Sequence, residues 1–221
     1  MIRIAIDGPG GAGKSTIAKA VASRLGIDYI DTGAMYRAVG YKMKTLGIRP
    51  DDTAAVASML ESTDIDFSRG DTLLDGKNVN AEIRRPEISA AASECSALPE
   101  VRKKLVALQR EMGSRKSVVM DGRDIGTNVL TDAEFKFYLT ASPEERARRR
   151  YDELMSKGID AKYEDVLRDI EERDRNDMNR DIDPLRKAED ADEIDSTDMS
   201  IDDVTDYIIS KIDRKQTEER Y

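Results

Sequence analysis

Residues Gly8-Pro9-Gly10-Gly11-Ala12-Gly13-Lys14-Ser15 match G-x-x-x-x-G-K-[ST] at every fixed position. An apolar run, Ile2–Asp7, leads into them and reads as a buried parallel strand. Lys14–Leu25 follows with Ile17, Ala18, Val21, Ala22 and Leu25 at helical spacing, and Gly26 suits the stop. A strand that turns through glycines into a helix points to an α/β sheet with the loop at its carboxyl edge. The glycines let the backbone wrap phosphates and turn amide N–H groups inward. The helix N-terminus adds partial positive charge. Lys14 can reach the β- and γ-phosphates, the Ser15 hydroxyl can ligate Mg2+, and Thr16 can donate to the α-phosphate. Gly8–Thr16 is therefore expected to bind a nucleoside triphosphate. The alternative, a glycine-rich turn that binds nothing, leaves the complete motif unexplained, and Lys14-Ser15 argues against a dinucleotide site.

Strand and helix patterns alternate along the chain. Asp28–Asp31 reads as a short strand, Ala34–Leu46 as a helix ending at Gly47, and Asp51 or Asp52 as the cap of a helix through Leu60. Three short segments then appear, Ile65–Phe67, Thr72–Leu74 and Asn78–Ala81, broken by Arg69-Gly70-Asp71 and Asp75-Gly76-Lys77. Asp-Gly is a tight-turn signal, so a small antiparallel meander is expected inside an inserted lobe at residues 34–98. Alternation resumes with a helix at Pro99–Met112 and strands at Val118–Asp121 and Phe135–Leu139. Ser142-Pro143-Glu144-Glu145 reads as a capping box for a helix to about Met155. After a break at Gly158–Lys162, a second charged helix is expected from Glu164 to Arg175. Ser200 opens the last helix, with Lys211–Tyr221 expected to fray.

Composition narrows the chemistry. The 221 residues suffice for one core carrying an insertion, and the net charge of −9 argues against a general nucleic-acid binder. Tryptophan is absent and phenylalanine scarce, which disfavours a base-stacking platform. With no histidine, imidazole bases and phosphohistidine intermediates are excluded. Phosphoryl transfer remains open, because it depends on positioning and electrostatics. The one cysteine, Cys95, fits a small apolar side chain on a helix. No apolar run reaches membrane-spanning length and the N-terminus lacks a signal-peptide pattern, so a cytoplasmic protein with no membrane partner is expected.

Val118-Val119-Met120-Asp121 is an apolar strand ending in a carboxylate, which places Asp121 near the loop as a holder of Mg2+ or its water. Two basic runs, Arg146–Arg150 and Arg173–Arg180, remain. Such runs are usually solvated helix faces. A helix–break–helix with arginines on both arms also suits a lid that neutralises a transferring phosphoryl group.

Four motifs stand in order: Gly8–Thr16; Asp31-Thr32-Gly33-Ala34-Met35-Tyr36-Arg37; Asp121-Gly122-Arg123-Asp124-Ile125-Gly126-Thr127; and Glu172-Arg173-Asp174 through Asn179-Arg180. Together they resemble the bacterial cytidylate kinases, of the nucleoside monophosphate kinase group, over nearly the whole chain. The resemblance implies a P-loop nucleoside monophosphate kinase fold of α/β class. That fold has a parallel sheet flanked by helices, an inserted monophosphate-binding lobe with a small antiparallel sheet, and a short helical lid. The core would comprise residues 1–33 and 99–221, with the lid at about 146–180. It implies ATP with Mg2+, and CMP or dCMP as acceptor, in a monomer. Thr32, Arg37 and Arg123 would hold the acceptor phosphate. Asp124, Ser93 and Arg102 would contact cytosine, Arg173 and Asp177 the sugar, and Arg180 the phosphates. Lys14, Arg123 and Arg180 would stabilise the transfer, and Ser15 and Asp121 would hold the metal. A carboxylate suits cytosine, since it accepts from the N4 amino group, a contact worth roughly 1–3 kcal/mol.

The chain departs from the family pattern at Gly10, where many members carry serine, and at Asp192-Glu193, where a more apolar strand is expected. A kinase for uridylate or adenylate is the nearest alternative. A GTP-dependent switch is further off, because the chain lacks an Asn-Lys-x-Asp guanine-reading motif.

Overall fold

The computed structural model describes residues 1–68 and 70–218. In chain order the elements begin with β1 (Arg3–Asp7), α1 (Lys14–Leu25), β2 (Asp28–Asp31), α2 (Thr32–Leu46) and α3 (Thr53–Glu61). They continue with β3 (Ile65–Ser68), β4 (Asp71–Leu74), β5 (Lys77–Asn78), α4 (Pro86–Ser96) and α5 (Pro99–Arg115). The last are β6 (Val118–Gly122), β7 (Phe135–Thr140), α6 (Pro143–Ser156), α7 (Tyr163–Asn179), β8 (Asp192–Asp195) and α8 (Ile201–Glu218). Two compact units result: Met1–Tyr29 with the residues from Lys116 on, and Ile30–Arg115.

The first unit is built on a sheet of order β2-β6-β1-β7-β8, which the chain leaves within β2. β1 runs parallel to β6 and to β7, and β7 parallel to β8. Ile4, Ala5 and Ile6 are fully buried, as a central parallel strand covered on both faces requires. Ile17 and Val21 from α1 and Val204, Ile208 and Ile212 from α8 share one apolar cluster with Ile4, Ile6, Phe137 and Leu139. Each such aliphatic side chain contributes about 1.5–3 kcal/mol by leaving water. The strand order reverses at β1, between β6 and β7. This is where an open α/β sheet leaves a crevice at its carboxyl edge. The turn after β1 starts with Gly8, whose φ is +148°. A Cβ there would lie 1.9 Å from the Leu139 carbonyl oxygen of β7, so only glycine fits.

β8 answers the question raised by its polar sequence. It occupies the sheet edge, pairing only through β7, and of its four residues only Ile194 is buried. The expectation of apolar residues applies to central strands, not to an edge. The capping box at α6 forms by half. Ser142 Oγ accepts from the Glu145 N–H at 3.2 Å, but Glu145 turns its carboxylate to Arg148 and Arg149, and Ser142 N–H donates to Thr197 Oγ1 at 3.1 Å. α7 extends to Asn179, one turn past the expected end, and the last helix continues to Glu218 rather than fraying from Lys211. Residues 219–221, the end of that expected frayed segment, lie outside the described residues. Among the described residues no helix is long and apolar enough to cross a membrane.

In the second unit α2 packs against α4. A Cβ on Gly40 would stand 3.0 Å from the Ala91 carbonyl carbon and the Ala92 nitrogen, so the glycine sets how closely these helices approach. α4 carries the buried Cys95, in line with the small apolar side chain on a helix expected there, although no bounds for that helix follow from the sequence. The antiparallel order is β3-β4-β5. Asp75 and Gly76, with φ of 50° and 76°, make the two-residue turn between β4 and β5, as a tight Asp-Gly hairpin requires. Arg69, in the other expected turn, lies outside the described residues. β5 stops at Asn78 instead of reaching Ala81, because Asn80 Oδ1 accepts the Thr72 N–H at 3.0 Å and replaces the ladder carbonyl there.

Candidate functional site

In the first unit, the loop Gly8–Thr16 closes over Lys14. The Lys14 side chain is buried, and Nζ donates to the Pro9 carbonyl at 2.7 Å. Burial lowers the Lys14 pKa well below its ordinary value, and the nearby Arg123 guanidinium lowers it further. A phosphate group brought to this ammonium would oppose both effects.

Parallel pairing sets Ile6 beside Asp121 and Asp7 beside Gly122. This register brings Asp121, at the end of β6, to the start of α1. Ser15 Oγ donates to Asp121 Oδ2 at 2.8 Å, and Tyr29 OH donates to Oδ1 at 2.8 Å. A hydroxyl and a carboxylate are hard oxygen donors of the kind Mg2+ takes with phosphates and water. Among the described residues there is no cluster of three acidic or cysteine ligands.

The turn after β6 carries Arg123 and Asp124, and the end of α7 meets it. Arg123 Nε donates to Asp177 Oδ2 at 2.7 Å, and Arg180 Nη2 donates to Asp124 Oδ1 at 3.0 Å. Arg180 also donates to the Asp183 carbonyl through Nε at 2.6 Å and through Nη2. Asn128 Nδ2 donates to Asp124 Oδ2 at 3.1 Å. Burial alone would raise the Asp177 carboxyl, yet Arg123 holds it below its usual range, with help from Arg173 and Arg180. Arg173 lies beside the loop: a Cβ on Gly10 would be 3.4 Å from Arg123 Nη2 and 3.6 Å from Arg173 Cδ. These are ordinary contact distances, so a Cβ would fit where this chain has Gly10.

Arg146 had been grouped with a basic run, but it is buried beneath the loop. It donates to the Ala141 carbonyl at 2.9 Å, the Gly10 carbonyl at 3.0 Å and Asp174 Oδ2 at 2.6 Å. Asp7 was also missed. Its buried carboxylate accepts the Ile125 and Gly126 N–H groups at 2.8 and 2.7 Å. Burial raises its pKa to about 6, with the two N–H bonds opposing the rise and the charge of Asp124 adding to it. A carboxylate directly after the apolar Ile4-Ala5-Ile6 was the only signal for it in the sequence.

The second unit holds the other four residues. Asp31 caps α2 by accepting the Ala34 N–H at 2.7 Å, and its Oδ2 accepts from Arg37 Nη2 at 3.1 Å. Arg37 Nε has no hydrogen-bond partner among the described residues, so this guanidinium keeps a donor for a ligand. A Cβ on Gly33 would crowd both Arg37 Nη1 and Asp31 Oδ1 at 3.3 Å, which accounts for glycine between them. Thr32 is buried in the first turn of α2. Arg102 is buried on α5, with its guanidinium carbon 5.9 Å from the Tyr36 ring centroid. Ser93 is half-buried on α4, and its carbonyl accepts from Ser96 Oγ at 2.8 Å.

Residues 4–214 match the cytidylate kinase family. A cytidylate kinase of Fervidobacterium nodosum is 52% identical over 207 residues, covering 94% of each chain. One from Clostridium acetobutylicum is 52% identical over 214 residues, covering 97% of this chain and 99% of its own. A solved structure of an uncharacterized protein from Eubacterium ventriosum shares the fold at TM-score 0.52 and 16% identity, over 96% of this chain and 99% of that one. With the match running nearly end to end and half of the residues identical, the chain belongs to the cytidylate kinase family.

Proposed function

We propose that the chain catalyses ATP-dependent phosphorylation of CMP and dCMP to their diphosphates. One observation carries the reading. The strand whose Asp121 meets Ser15 of the phosphate loop continues directly into Arg123 and Asp124. One strand end thus carries groups that this reading gives to the triphosphate and to the acceptor.

ATP lies along Gly8–Thr16, with Lys14 at the β- and γ-phosphates. Ser15 and Asp121 would hold Mg2+, which would supply charge neutralisation at the phosphates. Thr32, Arg37 and Arg123 hold the acceptor phosphate, arginine being suited to grip two oxygens at once. Asp124, Ser93 and Arg102 contact cytosine. Arg173 and Asp177 contact the sugar, and Arg180 the phosphates. A carboxylate can accept at about four positions. The Asp124 carboxylate, which accepts from Arg180 and Asn128, would also accept from the N4 amino group. An acceptor phosphate oxygen attacks the γ-phosphorus in line, a new P–O bond forms, and the bond to the β-phosphate bridging oxygen breaks to release ADP. That oxygen is already anionic near neutral pH, so no side chain need remove a proton, in keeping with a chain that lacks histidine. Lys14, Arg123 and Arg180 stabilise the charge of the transferring group. Residues 146–180 act as the lid and 34–98 as the monophosphate-binding lobe of a cytoplasmic monomer with no nucleic-acid partner.

The test is ADP release across a panel of CMP, dCMP, UMP, AMP and GMP. CMP and dCMP should exceed the others in kcat/KM by about 10-fold or more, the scale of one base-edge contact. Equal rates with UMP or AMP would overturn the cytidylate assignment.

A further inference from the structure

The mechanism leaves one buried carboxylate without a role. Asp7 ends β1, one residue before the phosphate loop, and is only 4% exposed. Its two oxygens accept from Ile125 N–H and Gly126 N–H. Those amides open a π-helical turn, Ile125–Val129, and no carbonyl within the turn can reach them. At the same end of the turn, the Asp124 carbonyl accepts from Asn128 N–H at 2.9 Å and Val129 N–H at 3.2 Å. The peptides that follow Arg123 and Asp124 are thus held by a side chain 118 residues away in sequence. A carboxylate this deeply buried is unfavourable unless its hydrogen bonds compensate. An asparagine of the same shape could accept only one of the two N–H groups.

We propose that Asp7 is a positioning residue for the monophosphate: by gripping the Ile125 and Gly126 amides it fixes the backbone that aims Arg123 and Asp124. The inference rests on Arg123 and Asp124 being acceptor-binding residues, as proposed above. Because Asp7 adjoins Gly8, it also offers a sharp discrimination. Simple loss of packing at the end of β1 would disturb ATP binding at least as much as CMP binding. Loss of the grip would act on CMP.

The experiment compares wild type with Asp7→Asn in steady-state kinetics, varying CMP, UMP and ATP separately, with a thermal melt as control. KM for CMP should rise about 10-fold or more, the scale of one charge-assisted hydrogen bond exchanged for a donor facing a donor, while KM for ATP stays within about 2-fold. The preference for CMP over UMP should shrink with it. A parallel rise in both KM values, or an unchanged KM for CMP in a variant that melts normally, overturns the inference. Should Asp7→Asn not fold, Asp7→Ala carries the same test, because it removes both acceptors from the Ile125 and Gly126 amides and sets no donor against them. The same one-sided rise in KM for CMP is then expected, and no change in either KM overturns the proposal. A wild-type chain inactive on CMP would defeat the functional reading and this inference together. An active wild type with no split in the variant defeats the inference alone.

Discussion

On α6, Arg148 pairs with Glu145 at 2.7 Å and with Asp152 at 3.4 Å, and Arg150 pairs with Glu153 at 2.7 Å, all within one turn of the same helix. At the end of α7 the partners lie elsewhere in the chain: Asp177 takes Arg123 from the turn after β6, Asp174 takes Arg146, and Arg180 takes Asp124. Both runs look alike in composition. The first is mainly a solvated face whose ion pairs are weak and local. The second is a set of buried pairs in which each charge needs its partner. Of the arginines proposed for phosphate contact, Arg123 and Arg180 belong to the second kind, whereas Arg37 pairs with Asp31 at the start of its own helix. Asp177 holds Arg123 and Asp124 holds Arg180, and a phosphate brought to these guanidinium groups would compete with the carboxylates for their N–H groups.

The sharpest test of this contrast is Arg123→Ala. Arg123 is assigned to the acceptor phosphate, and its removal also leaves Asp177 without the guanidinium that keeps it ionised. Arginines that stabilise phosphoryl transfer are worth about 10³-fold or more in turnover. A fall of that size in kcat is expected under saturating substrates, and a loss of only a few-fold would place Arg123 with the solvated arginines of α6.

Arg146 sits on α6 but behaves like the α7 set. Its guanidinium ties Asp174 to the Gly10 carbonyl, so Arg146→Met leaves a buried carboxylate unpaired. A stability loss of about 3 kcal/mol is expected, the lower end for breaking a buried pair. Urea unfolding measures it. A variant as stable as wild type would mean that Asp174 is solvated well enough not to need Arg146.

The same contrast explains what could be read in advance. The phosphate loop was legible because one contiguous segment carries both its backbone geometry and its chemistry. Asp121 was legible because the sheet rule puts strand ends together. The Asp-Gly hairpin and the α6 cap followed from local rules. Arg146 was not singled out, since nothing in Glu144–Tyr151 distinguishes the one arginine that faces inward. Asp7 and the Ile125–Val129 turn were missed because their bond joins residues 118 positions apart. The reach of β5 failed for a local reason that involves a side chain: Asn80 accepts where a backbone carbonyl was expected. The polar edge strand β8 looked anomalous only until its place in the sheet order was known.

Asp7 also gives the comparison a pH dependence. Burial moves its pKa from 3.8 to about 6. The folded state therefore holds this proton more tightly than the unfolded chain does. The resulting stabilisation is complete below the unfolded value and is lost as pH rises through about 6. The difference between pH 3.5 and pH 7.5 amounts to roughly 2–3 kcal/mol. The paired aspartates act oppositely: Asp177, held low by Arg123, contributes stability above its unfolded pKa that is lost in acid. Urea titrations of wild type and Asp7→Asn at several pH values separate the two. The wild-type advantage should shrink between pH 4 and pH 7, and a constant difference would show that Asp7 titrates as an ordinary carboxylate.

The smallest effect belongs to the solvated run. Arg148 is 60% exposed and its partners are on its own helix, so solvent and salt already screen its charge. Arg148→Ala should leave kcat/KM for CMP and for ATP within about 2-fold and the urea midpoint unchanged. This outcome is informative because Arg148 stands only two residues from Arg146, with equal charge and similar helix propensity. If Arg148→Ala instead reduced kcat by 10-fold or more, the exposed face of α6 would have to move onto the phosphates during the reaction. The division between a solvated run and a working run would then not hold during turnover, and Glu145, which pairs with both Arg148 and Arg149, would be the residue from which they are released.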